Sequence, residues 1–326
     1  MKKRRLHIGM MLLLAAGLLV GCSHDGEPTQ RREIAVRTGV AGMQRRAAAI
    51  INNNDDLHTY DLRIDAYYHT SESKYLDGVK LRYAASEWKF WNNEEPGAQV
   101  HYYWPFDGSK TAEGVTASTL DFVGFCPFDA PSNIDNIDYD KDAGVSFDCD
   151  MSHYMDLAGQ DTLQEYLIAV LDSQTLETQT AAGGALRMQF KHPLAQVKFT
   201  ITAASGEHVQ INSIGITATP TSGICTYNGT GMTWDVSGSD VDTMKIAQTL
   251  KVGSARTETT PVFIIPDAGT KYLIVNATWD EWSDVTISNY GTDVDFTWEP
   301  GRSYTYNMTL DQYGLKVDTV RFTEQW

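Results

Sequence analysis

Cys22 is the first residue of this chain whose neighbours specify a reaction. It follows Leu19-Val20-Gly21: the Cys22 thiol takes lipid first, and the small Gly21 then lets a peptidase reach the bond before the cysteine. Lys2, Lys3, Arg4 and Arg5 form a positive end, and residues 8–20 an apolar segment too short to stay as a spanning helix. Residues 1–21 therefore read as a lipoprotein signal peptide, and Cys22 as the lipid anchor of an exported chain. Ser23 fits passage to the outer membrane. A second reactive place is the pair Arg45-Arg46, set between Gly39 and Gly42 on one side and three alanines on the other, a loop open to proteolysis. A third is Asp138, Asp140 and Asp142, carboxylates at alternate positions as in a calcium loop. There the match stops, because Gly144 comes one residue late and Cys149 stands where a bidentate glutamate belongs. An acidic solvated loop is the stronger reading, and no metal is expected.

Motifs for catalysis are missing. The chain has no GxSxG, HExxH, P-loop or dinucleotide fingerprint, its histidines are scattered, and acidic pairs such as Glu94-Glu95 carry no information without a separation in space. Neither an enzyme nor a cofactor is expected. With Cys22 given to lipid, Cys126, Cys149 and Cys225 remain, an odd number that argues against a disulfide framework. Cys126 and Cys149 fall in one half and a bridge between them stays open, although Cys126 in its apolar run reads better as a small buried hydrophobe. The formal charge is −16, and four of the cations lie in the signal, so the exported chain is more acidic still. Nucleic acid is disfavoured as a partner, because phosphate binding needs clustered Lys and Arg.

The elements that carry these residues are strands. Leu186, Met188 and Phe190 alternate with polar residues, as do Ala195, Val197, Phe199 and Ile201, and His192-Pro193-Leu194 forces a corner between the two runs. Residues 62–68, 99–104, 120–125 and 166–171 are strand candidates before the corner. Residues 210–218, 261–265, 272–279, 285–288, 294–298, 304–310 and 315–322 are candidates after it, with turns at 219–223, 228–231 and 299–301. Ile34 and Val36 suit a short early strand, and residues 156–170 hold a helical segment. Tyr67, Tyr68, Trp88, Phe90, Trp91, Tyr102, Tyr103 and Trp104 suit packing on a sheet better than a platform for sugars. His192 reads as a structural hydrogen-bonding residue rather than a base.

Three pieces together carry a resemblance: FKHPLA at 190–195 after YLIAVL at 166–171; YYWPF at 102–106 before LDFVGFCP at 120–127; and GRSYTYNMTL at 301–310. In this order, behind a lipoprotein signal, they resemble the fimbrillins, subunits of type V pili. The resemblance implies an all-β fold of two tandem transthyretin-like, Greek-key β-sandwich domains, at 47–190 and 191–326, after a leader at 22–46. It implies that an Arg-specific protease removes the leader at Arg46, with Arg45 the close second, and opens a groove. A terminal strand carrying Leu315, Val317, Val320 and Phe322 then fills the groove of a neighbouring copy or related pilin, giving a cell-surface fimbria that serves adhesion. The alternative is an outer-membrane lipoprotein that binds glycans without polymerising.

Overall fold

Alternating burial in these short apolar runs builds the molecule from strands. The computed structural model describes residues 32–40, 51, 53–94, 97–111, 114–204, 208–279, 287–311 and 314–323. In the first half a five-stranded antiparallel sheet has the spatial order Leu167–Gln174, Leu120–Cys126, Leu62–Tyr68, Lys74–Ala84 and Glu87–Trp91. Against it lies a parallel pair, Val36–Val40 with Leu186–Phe190. The inner strand Leu120–Cys126, second in this order, is buried along its whole length because both of its faces are covered. Leu120, Phe122 and Cys126 join one core with Ile34, Val36, Leu186, Met188 and Phe190, while Val123 and Phe125 join another. Gly124 sets how closely the layers approach: a Cβ there would stand 2.8 Å from Met188 Cε and 3.0 Å from Phe190 Cζ.

The second half is a sandwich. One sheet runs Thr257–Glu258, Ala195–Ala203, Ser303–Asp311, Gly314–Thr323, with Val262–Ile264 also on Ala195–Ala203. The facing sheet runs Val241–Ile246, Val209–Pro220, Ala268–Trp279, Ile287–Thr297, with Leu250–Val252 also on Val209–Pro220. Phe199, Ile201, Tyr306 and Leu310 of the first meet Ile211, Ile216, Val275 and Phe296 of the second in one core. There the indole N–H of Trp298 donates to the Tyr306 hydroxyl at 3.0 Å.

A further sheet ties the halves together. It orders Met232–Asp235, Ser222–Tyr227, Gly144–Asp150 and Ile134–Asp140, two strands from each half, and its Val145, Phe147, Cys149, Cys225 and Tyr227 pack on Val123, Phe125, Ile168 and Val170. The turn expected at 219–223 is instead a crossing: Val209–Pro220 leaves one sheet, and after Thr221 the chain enters another as Ser222–Tyr227. Three other expectations change. Residues 99–104 make only isolated bridges, Trp91 to Gln99 and Glu33 to Tyr103, and no named strand. The helix sought in 156–170 is confined to Leu157–Gln160, before the strand Leu167–Gln174. Residues 294–298 belong mostly to one long strand, Ile287–Thr297.

The corner falls where Pro193 puts it, between Leu186–Phe190 and Ala195–Ala203. His192 is buried, with Nδ1 2.7 Å from Glu165 Oε2, itself buried, and the Trp234 indole donates to the Pro193 carbonyl at 2.8 Å. A buried imidazole that loses its carboxylate keeps its desolvation cost, so Glu165→Ala is expected to lower unfolding free energy by about 3 kcal/mol. Urea titration of the variant beside the parent measures it; a loss under about 1 kcal/mol would show that the pair does not hold the corner.

Candidate assembly surfaces

The early strand is seated as an integral part of the first core. Val36–Val40 runs parallel to Leu186–Phe190 through five residue pairs from Val36↔Leu186 to Val40↔Phe190. Ile34 and Val36 are 1% and 4% exposed. Backbone bonds add to this: Ile34 N–H donates to the Tyr102 carbonyl at 2.8 Å, and Trp104 N–H to the Arg32 carbonyl at 2.9 Å. His101 Nδ1 lies 2.7 Å from Glu33 Oε1.

One contact was not legible in the sequence. Gln179, buried on the short helix Leu176–Ala181, grips the segment with both ends of its amide: Oε1 accepts from Ala35 N–H and the Trp104 indole, each at 3.1 Å, and Nε2 donates to the Glu33 carbonyl at 2.8 Å. The capping box at Thr175 and Thr178 fixes the helix that presents it. That box is the signal that locates such a helix, although nothing in the sequence ties it to residues 33–35.

Beside the seated strand is a groove of about 760 Å³, walled on one side by Glu33 to Thr38 and on the other by His58, Tyr83, Trp88 and Phe90. Among the described residues, Val36–Val40 pairs with a strand on one edge, and Glu87–Trp91 ends its sheet with an isolated bridge from Trp91 to Gln99, so two strand edges border this space. The aromatic residues here pack on one another. His58 stacks on Tyr83 at 3.6 Å, Trp88 meets Tyr83 edge-on at 5.3 Å, and Phe90 and Trp104 are buried.

At the other end of the chain, Gly314–Thr323 pairs antiparallel with Ser303–Asp311 and forms the edge of its sheet. Leu315 and Val317 are half-buried on the second core. Val320 and Phe322 lie on the same strand, paired with Tyr306 and Tyr304; their side chains, like Cys22, Arg45 and Arg46, lie outside the described residues.

The acidic stretch is a hairpin rather than a loop. Asp138 and Asp140 are on Ile134–Asp140, and Asp142 is in the turn to Gly144–Asp150. Asp140 Oδ1 accepts the N–H of Asp142 at 2.8 Å and of Ala143 at 2.7 Å, bonds that hold its carboxyl below the usual range. Among the described residues these three carboxylates are not a converging set of ligand atoms. Cys126, Cys149 and Cys225 are free and buried, and no bridge joins Cys126 to Cys149. Burial pushes their thiols up, that of Cys149 to about 12, so they behave as small core hydrophobes.

Residues 51–325 match the model of the family described as fimbrillin-like. Among solved structures the chain is similar to a proposed cell adhesion protein from Bacteroides uniformis ATCC 8492, at 16% identity over 92% of this chain and 100% of that one, TM-score 0.47. It is also similar to one from Parabacteroides distasonis ATCC 8503, at 12% identity over 90% and 96%, TM-score 0.47. The tip fimbrial protein Mfa3 from Porphyromonas gingivalis, solved with a C-terminal truncation, matches at 10% identity over 90% and 99%, TM-score 0.44. No curated protein matches. Among the described residues, no helix is long and apolar enough to cross a membrane.

Proposed function

The chain belongs to the fimbrillin-like family, and from that premise we propose that it is a structural subunit of a cell-surface fimbria. In this reading it is exported as a lipoprotein on Cys22, cut after Arg46, and polymerised by strand donation between copies of itself or related pilins. The domains are 47–190 and 191–326, joined by the shared sheet. The observation that carries the reading is the seating of Ile34 and Val36: residues ahead of Arg46 fill a slot in the first core. Their removal leaves unpaired backbone on Leu186–Phe190 and an apolar trench, and an incoming strand satisfies both. A head-to-tail joint of this type does not close on itself and so propagates as a fibre.

N-terminal sequencing of the protein recovered from surface polymers tests the cut. A start at Ala47 is expected; polymers whose subunits all begin at lipidated Cys22 would refute cleavage as the step that opens the slot.

A further inference from the structure

At one end of the five-stranded sheet, adjacent strands bring together His69, Asp121 and Asp172, a convergence unrelated to the assembly surfaces. His69 Nδ1 lies 2.9 and 3.0 Å from the two Asp121 oxygens and 3.4 Å from Asp172 Oδ1. Backbone features put them there. His69 follows the strand Leu62–Tyr68, and its N–H donates to the Thr119 carbonyl at 3.1 Å. Asp121 is the second residue of Leu120–Cys126, opposite Tyr67. Asp172 is swung toward it by a bulge between Leu171 and Gln174, the type of irregularity that re-aims a side chain at a sheet edge.

The three differ in access. The Asp121 side chain is fully buried, while those of His69 and Asp172 are 36% and 57% exposed. A ligand would thus be anchored from inside and keep a face to water. Asp121 is held in place by the Tyr139 hydroxyl at 2.6 Å and Ser173 N–H at 2.7 Å, outer contacts of the kind that orient a metal-binding carboxylate. Among the described residues, the ion pairs of both carboxylates are with His69, and none is with Lys or Arg. The ligand atoms of His69, Asp121 and Asp172 all lie within 4.8 Å of one another. Two carboxylates this close repel, and a cation between them relieves the repulsion.

Spacing chooses among cations. Donor atoms on one ion with bonds of about 2.1 Å lie about 3.0 Å apart at octahedral right angles and about 3.4 Å apart in a tetrahedron. The range of 2.9 to 3.4 Å from Nδ1 matches both. Calcium, whose six to eight ligands can crowd to similar spacings, prefers oxygen throughout, and the imidazole nitrogen counts against it. We propose that His69, Asp121 and Asp172 bind one divalent cation of zinc or manganese size, through Nδ1 and an oxygen of each carboxylate, with water completing the shell. Binding displaces the Nδ1 proton to solvent.

The test uses untagged protein stripped with EDTA, titrated with ZnCl2, MnCl2 and CaCl2 by calorimetry, beside His69→Gln and Asp172→Asn. The variants change a half-buried and an exposed side chain, and circular dichroism checks that each is folded. Zinc or manganese is expected to bind one to one, ahead of calcium, and to raise Tm by roughly 5 °C at a hundredfold excess over Kd. Each folded variant is expected to lose roughly tenfold affinity or more. No stoichiometric binding, tighter binding of calcium, or equal affinity in the parent and both variants would each overturn the site.

Discussion

Deleting residues 315–326 is expected to abolish polymerisation while leaving a folded monomer. In the subunit, Gly314–Thr323 is the edge strand of its sheet among the described residues, with Leu315 and Val317 half-buried. At roughly 1.5–3 kcal/mol for a fully buried aliphatic side chain, these two contribute about 2 kcal/mol to their own subunit, and the backbone hydrogen bonds to Ser303–Asp311 add about 1 kcal/mol net each, so the truncated monomer is expected to melt lower but to stay folded on its remaining core. In a neighbour's slot the same strand would pair on both edges and bury its apolar residues fully, a joint that dissociates very slowly. Calorimetry on the truncated monomer, together with the ladder of polymers resistant to detergent, reads both sides. A truncated protein that unfolds or aggregates at once would show that the strand completes its own sandwich and is not spare. Polymer at parental yield would show that another segment is donated.

Strands with one clean face were legible in the sequence and strands with mixed chemistry were not. Leu186–Phe190 alternates buried and exposed residue by residue, and Ser303–Asp311 alternates buried with half-buried, because each has one side on a core. Lys74–Ala84 was hidden by its charges: Lys80 is buried beside Asp61, and Arg82 makes two hydrogen bonds to the same carboxylate. Ile134–Asp140 looked like a solvated loop since five of its seven residues are Asp, Asn or Tyr, with Ile137 and Tyr139 turned toward the shared core. The sheet joining the halves was out of reach for another reason. Its pairing of Ser222–Tyr227 with Gly144–Asp150 links residues distant in sequence, and alternation fixes which face a strand buries but not its neighbour. The site was legible to the same extent. Ile34 and Val36 were recognisable as strand residues, whereas the amide of Gln179 has no periodic signature, and His69, Asp121 and Asp172 are gathered by a bulge that leaves none either.

Replacing Arg45 and Arg46 together by alanine is expected to leave a lipid-tethered monomer that never enters a polymer. The leader cannot be shed by simple dissociation. Ile34 and Val36 are nearly solvent-free, each burial being worth roughly 1.5–3 kcal/mol. Five parallel residue pairs and the Gln179 amide add backbone hydrogen bonds, each worth about 1 kcal/mol net. A total of several kcal/mol keeps the slot filled in nearly all molecules, so under the proposed mechanism a donor strand would meet an occupied acceptor. Cleavage after Arg46 would change this by turning an intramolecular strand into a dissociable peptide, whose departure dilution would then drive. The cut monomer should accordingly melt well below the intact precursor, and a synthetic peptide of residues 314–323 should restore much of the difference by filling the slot in trans. Polymer yield from the double variant equal to that of the parent would mean that the leader strand leaves without cleavage, and that Val36–Val40 does not occupy the acceptor slot.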